Sequence, residues 1–365
     1  MQNLLILSSD TGEGHNSAAS AIAAAGIDAG FHVSVRKPLE ESGGWNRALG
    51  NLYNTLLQRC PQWMGAYYSL IERWRPNERD LFYARVRGYI GDFLDLEKPD
   101  ILLSVHPMLN HFIQRFIKEE NRDIPCYTFL TDPFPPFWRG WASPYVDRYF
   151  VATDEALQSL TAMDVPAWRI ERAPMPVRPQ FAPSSEATAD LRRELGLDES
   201  SVILVNGGAR GGGPILDVVN TVRRAAWNTN VLVICGKNLR LRHAIERIED
   251  QRTRVFGFVE DIHRYIAAAD LVLTKPGALA TFETLACGVP VLLLGTRGLM
   301  PQESGLFRAA RRYEFGFGAS TLGEIARIVE MGPPVWNALR SSIAHFYRFS
   351  SGSELIERMS PGHAA

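Results

Sequence analysis

The chain has 365 residues, 46% hydrophobic and 22% charged, with 39 Lys and Arg against 40 Asp and Glu, for a formal net charge of −1. That length suits two domains of ordinary size, and the composition excludes a disordered chain. The charge balance excludes a protein drawn to nucleic acid or anionic lipid by its overall field, so any membrane affinity must come from a local patch.

Asn3 to Ser8 (NLLILS) reads as a buried first strand. The loop SDTGEGH follows, and a helix pattern runs from Ser17 to Ala25. Gly12 and Gly14 predict a flexible turn suited to close approach of a ligand. The spacing is G-x-G, and no acidic residue ends the next strand, His32 to Arg36, so the dinucleotide fingerprint is absent. His15 at the helix start has the chemistry of a general base, although capping or packing the helix would use the same residue.

The N-terminus shows no basic region ahead of an apolar one, so no signal peptide is expected, and no apolar run is long enough to span a bilayer. The expected location is therefore cytoplasmic. Trp45 to Trp74 carries three Trp and three Tyr interleaved with arginines. Such helices suit the headgroup level of a membrane, and they equally suit a packed core. Cys60, Cys126, Cys235 and Cys287 have no metal-ligand spacing and read as buried thiols of a reducing compartment.

Pro99 to Val105, Pro125 to Leu130 and Arg148 to Ala152 are the next strands. His106 and Asp132 follow the first two, at carboxyl ends where open parallel sheets bind ligands. Ala173 to Glu186 (APMPVRPQFAPSSE) has the composition of a linker and contains Arg178. A second strand series then begins at Ser201 to Asn206 and leads into GGARGGGP. Gly208, Ala209 and Arg210 lie in this loop, whose backbone can wrap a diphosphate. Asn230 to Cys235, Arg254 to Val259, Leu271 to Thr274 and Pro290 to Leu294 complete the strands.

KPGALATFETLACGVP, Lys275 to Pro290, combines a strand end, a Pro-Gly break and a helix from Ala278 to Cys287. The first helical N–H groups, around Gly277, Ala278, Leu279, Ala280 and Thr281, suit a phosphate. Glu283, about one turn further on, can accept hydrogen bonds from two vicinal hydroxyls. Two or three helices follow, and Pro333 to Arg348 is expected to cross back to the first domain. Alternating strands and helices on either side of a proline-rich hinge predict two doubly wound, Rossmann-like α/β domains facing a cleft. Their boundaries are 1–172, a hinge at 173–186, 187–332, and a returning helix at 333–365.

KPGALATFETLACGVPVLLL and TGEGHNSAA resemble the monogalactosyldiacylglycerol synthase and processive diacylglycerol glucosyltransferase family, relatives of the N-acetylglucosaminyltransferase that makes the lipid-linked peptidoglycan precursor. The resemblance covers most of the chain and implies the glycosyltransferase B-type (GT-B) fold. It implies inverting transfer of a hexose from a UDP-sugar to a lipid, diacylglycerol in the family, without a metal or other cofactor and without nucleic acid as a partner. It implies a peripheral place on the inner face of the cell membrane, held through the N-terminal domain.

By the same resemblance His15 is the base, Thr11, Gly12, Gly14, His106 and Asp132 lie on the acceptor side, and Arg178 meets the donor phosphates. Phe258 and Val259 hold the uracil, and Gln302 and Glu303 the donor-sugar hydroxyls. The sequence departs from the family at Glu13, a glycine there, and at Leu306, near the family's asparagine. Ala209 stands where the peptidoglycan enzyme has serine. Two other readings stay open: a UDP-sugar 2-epimerase of the same fold using Asp132 and Glu283, and a non-catalytic nucleotide-sugar or lipid binder.

Overall fold

The structure, a computed structural model, describes residues 1–10, 13–41, 64–183, 185–226, 228–248, 250–296 and 298–360. The chain forms two compact units. The first comprises Met1–Pro179, Met300–Gln302 and Ser350–Ala365; the second comprises Gln180–Leu299 and Glu303–Phe349.

In the first unit, β1 (Asn3–Leu7), β2 (His32–Arg36), β3 (Ile101–Ser104), β4 (Cys126–Leu130), β5 (Arg148–Val151) and β6 (Ile170–Arg172) form one parallel sheet in the order β2-β1-β3-β4-β5-β6. The central strands are continuous apolar runs because helices cover both faces, as parallel sheets require. Leu5 pairs with Leu102 in register, and both join Phe93, Leu94, Ile113, Phe116 and Ile117 in a buried cluster. The helix Glu13–Asp28 is alanine-rich, which favours helix and lets it lie close to its neighbours. Buried Leu355 and Ile356 come from the short helix Ser353–Met359, which packs against it.

The second unit repeats the plan. Its strands are β7 (Val202–Asn206), β8 (Asn230–Ile234), β9 (Thr253–Phe256), β10 (Leu271–Thr274), β11 (Val291–Leu294) and β12 (Gly316–Ala319), all parallel, in the order β12-β11-β10-β7-β8-β9. Val205, Val218, Val222, Val233, Leu273 and Trp336 are among its core residues.

Several local expectations change. Gly14 lies inside the helix Glu13–Asp28 rather than in a turn. The strand expected over 254–259 ends at Phe256, so Phe258 and Val259 belong to the following loop. Ala173, Met175 and Val177 are buried, and the Val177 N–H donates to the Ser350 carbonyl at 2.9 Å; half of the expected linker is therefore core of the first unit. The helix Gly332–Phe346 lies in the second unit, where Trp336 and Ile343 are buried; only the segment from Ser350 belongs to the first. β6 and β12 are additional edge strands.

Candidate active site

Each sheet reverses its strand order once, and the crevice at such a switch point is where doubly wound sheets bind ligands. In the first unit the reversal falls between β1 and β3. The segment after β1 leads to His15, in the first turn of its helix; the loops after β3 and β4 carry His106 and Asp132. Thr11 and Gly12 lie outside the described residues. His15 Nδ1 stands 2.8 Å from the Val105 carbonyl oxygen and 3.0 Å from Thr131 Oγ1. A carbonyl only accepts, so the proton of the shorter contact sits on Nδ1, and the lone pair of the neutral ring is on Nε2. His106 packs edge-on against His15 with ring centroids 4.5 Å apart, and its own Nδ1 accepts from the Met108 N–H at 3.3 Å.

Electrostatics keep this cluster neutral at the imidazoles. Burial lowers the His15 pKa; the negative charge of Asp132 and the bond to Val105 oppose that shift. Burial, and then the neighbouring His15, push His106 well below its ordinary value. Burial raises the Asp132 pKa, while His15 and the Trp141 indole act to lower it. Trp141 Nε1 donates to Asp132 Oδ2 at 2.8 Å, and Trp141 is fully buried. The result is a weakly basic imidazole beside a carboxylate that stabilises it once protonated.

In the second unit the reversal falls between β7 and β10, so the glycine loop after β7 and the Lys275-Pro276-Gly277 turn after β10 flank one crevice. The loop is tightly wound. A Cβ on Gly211, at φ +59°, would lie 2.0 Å from the Cys235 carbonyl oxygen. The N–H of Gly208 donates to Asn206 Oδ1 at 2.9 Å, and those of Gly211 and Gly212 to the Gly208 and Gly207 carbonyls. The N–H groups of Ala209 and Arg210 take no partner among the described residues. Lys275 closes over this loop: its Nζ lies 2.8 Å from the position a Gly212 Cβ would occupy.

The helix Ala278–Ala286 starts at Gly277, which offers no side-chain cap, so the first-turn N–H groups stay available. The Thr281 hydroxyl is spent on the Gly277 carbonyl at 2.9 Å. Glu283 is 8% exposed, buried rather than on a solvated face. After β9, Phe258 is 53% exposed, with Lys237 Nζ 5.3 Å from its ring centre.

Of the remaining expected residues, Arg178 and Gln302 fall in the first unit and Glu303 in the second. Gln302 and Glu303 open the helix Pro301–Arg312. Leu306 in that helix is 1% exposed, so it is a core residue, and asparagine in its place would bury an amide. Sequence reasoning missed Trp141, Asn206, Lys237 and Lys275. Lys275 had a signal, since it directly precedes the Pro-Gly break; Trp141 had none, because its contact with Asp132 depends on how the loop folds. Among the described residues, no cluster of three or more His, Cys, Asp or Glu side chains could hold a metal ion.

Residues 15–177 match the family Monogalactosyldiacylglycerol (MGDG) synthase, and residues 202–296 match the glycosyltransferase family 28 C-terminal domain. The chain is similar to the chloroplastic monogalactosyldiacylglycerol synthase of Spinacia oleracea, 31% identical over 80% of this chain and 59% of that protein. It is also similar to the processive diacylglycerol beta-glucosyltransferase of Bacillus subtilis, 26% identical over 80% of this chain and 77% of that one. The chain spans 59% to 66% of the length of the first three plant synthases it matches.

Among solved structures, Acinetobacter baumannii MurG aligns over 98% of this chain and 99% of its own, with 14% identity and a TM-score of 0.66. Anabaena HepE in complex with UDP aligns over the same shares, with 14% identity and a TM-score of 0.59. These neighbours show the fold, two Rossmann-like sheets of the GT-B type. By sequence over both units, the chain resembles the monogalactosyldiacylglycerol synthases and processive diacylglycerol glucosyltransferases.

Proposed function

We propose that this chain is a hexosyltransferase that moves a sugar from a UDP-sugar to the free hydroxyl of diacylglycerol. The observation that carries this reading is the tautomer of His15: with Nδ1–H committed to the Val105 carbonyl, Nε2 offers its lone pair. A base of this kind takes the proton of the attacking hydroxyl, and a single displacement by that hydroxyl inverts the anomeric carbon. Asp132, held by Trp141, balances the imidazolium that forms. The family named above supports the lipid acceptor and the hexose donor.

The departing diphosphate needs positive potential. The Ala209 and Arg210 N–H groups, Lys275, Arg178 and the open first turn of Ala278–Ala286 supply it in this reading. Glu283 takes the ribose hydroxyls, the backbone at Phe258-Val259 the uracil, and Gln302 and Glu303 the hexose. The chemistry is assigned to these groups without a metal. No described helix is long and apolar enough to cross a membrane. Exposed Leu70 and Trp74, one turn apart on the helix Met64–Trp74, lie near exposed Leu81, Arg73, Arg75 and Arg79 in the chain. They support peripheral contact with a bilayer surface at the side where UDP-sugars are available; residues 45–63 of the expected contact segment lie outside the described residues.

The test is a donor-by-acceptor screen of UDP-galactose and UDP-glucose with diacylglycerol, read by mass detection, on the native chain and on His15→Ala. Glycolipid formation that falls by about 100-fold or more in the variant, with UDP uptake intact, is the expected result. Full transfer by His15→Ala would remove the base assignment. Conversion of the UDP-sugar without any acceptor would instead mark an epimerase.

A further inference from the structure

The turn that carries the Ala209 and Arg210 N–H groups is held from outside, by the loop that follows β8. The two loops touch: a Cβ on Gly236 would lie 2.3 Å from the Gly208 carbonyl oxygen and 2.4 Å from that of Ala209. The Lys237 N–H donates to the Ala209 carbonyl at 2.9 Å. A trans peptide sends its C=O and its N–H in opposite directions. Pinning the Ala209 carbonyl to the β8 side therefore turns the Arg210 N–H, on the same peptide, away from that side. The Gly208 carbonyl accepts from the Gly211 N–H at 3.1 Å, which fixes the Ala209 N–H in the same way.

The Asn238 side chain locks this arrangement. Its Nδ2 donates to the Gly211 carbonyl at 2.9 Å, and its Oδ1 accepts from the Leu241 N–H at 3.0 Å. A carbonyl only accepts and a backbone N–H only donates, so one orientation of the amide satisfies both. The bond to Leu241 caps the helix Leu239–Glu246. The amide is thus fixed to a helix on one side and to the closing residue of the glycine turn on the other.

We infer that Asn238 is a positioning residue for the donor diphosphate: it holds the Gly208–Gly211 turn in the shape that aims the Ala209 and Arg210 N–H groups at one anion. The inference rests on the reading of this loop as the diphosphate cradle. It adds that the cradle is built in advance from the β8 side, so that its ordering is not left to the moment of binding.

In the test, UDP and uridine are titrated by calorimetry into the full native chain and into Asn238→Ser and Asn238→Asp. Both substitutions keep an oxygen that caps the helix. The serine hydroxyl is too short to reach Gly211, and the carboxylate has no proton to donate. UDP affinity is expected to fall by about tenfold or more in each variant, with uridine affinity unchanged, because only the phosphates meet the turn. Thr321→Ala, which removes the cap of the helix Leu322–Glu330 in the same unit, controls for lost stability alone and is expected to bind UDP as the native chain does. UDP affinity that Asn238→Ser leaves unchanged, or that falls together with uridine affinity, would overturn the inference and leave the cradle reading in place. A native chain that binds uridine as tightly as UDP would overturn that reading, and the inference with it.

Discussion

Two glycines of the β7 loop allow the donor crevice to be probed by a paired substitution. Gly208 and Gly211 both sit at positive φ, +71° and +59°, where an L-residue is strained by about 1–2 kcal/mol. Their surroundings differ. A Cβ on Gly208 meets nothing within 4 Å. One on Gly211 falls 2.0 Å from the Cys235 carbonyl oxygen and 2.6 Å from Asn238 Cβ. The first obstacle is backbone at the end of β8, so it cannot swing aside, and the loop must move instead. Such overpacking adds about 1–3 kcal/mol to the dihedral cost.

Gly208→Ala is therefore expected to lower stability by about 1–2 kcal/mol, and Gly211→Ala by about 2–5 kcal/mol in total. Urea unfolding followed by circular dichroism reads the difference. Calorimetry with UDP reads its consequence: displacement of the Ala209 and Arg210 N–H groups weakens uptake by about tenfold or more for Gly211→Ala, and far less for Gly208→Ala. Equal stability losses, or a Gly211→Ala chain that binds UDP as the native one does, would refute the reasoning.

Trp141→Phe keeps an aromatic ring in the loop but removes the donor to Asp132. That hydrogen bond stabilises the carboxylate, so Asp132 would take its proton at a higher pH. The acid limb of kcat/KM is expected to move upward, with activity falling about tenfold or more, since a hydrogen bond to a charged group contributes about 1.5–3 kcal/mol; an unmoved limb would count against Asp132. The pH dependence of stability follows from the histidines. Burial holds His111 at about 4, below the ordinary 6.5, so the unfolded chain takes up a proton first as pH falls. Its contribution is fully present above pH 6.5 and is lost towards pH 4, about 3 kcal/mol in all. His15 and His106 act in the same sense, and Asp132, raised by burial, in the opposite one. Urea midpoints should fall on acidification, less steeply for His111→Gln.

Much of this fold was legible because parallel strands buried on both faces announce themselves as apolar runs. Ten of the twelve strands among the described residues were read from the sequence: eight are such runs, and two, β2 and β9, are partly exposed edge strands. The two missed are edge strands with weak signals: β6 is Ile-Glu-Arg, and β12 has two glycines in four residues. The residues ending β1, β3, β4, β7 and β10 were also readable, because parallel topology sends those carboxyl ends to the ligand side. The tautomer of His15 was not, since Val105 and Thr131 lie 90 and 116 residues away in the chain. Nor did composition show that the proline-rich stretch from Ala173 to Val177 is buried: its backbone is anchored by Ser350, far along the sequence.

That anchoring has a bearing on how the protein is made. Leu355, Ile356 and Met359 fill the first unit from beside the helix whose opening turn carries His15, yet translation reaches them only after the entire second unit. A nascent chain that has emerged only as far as Pro179 therefore still shows water the apolar flank those side chains will cover. The N-terminal half must wait, incompletely assembled, until translation has passed Met359.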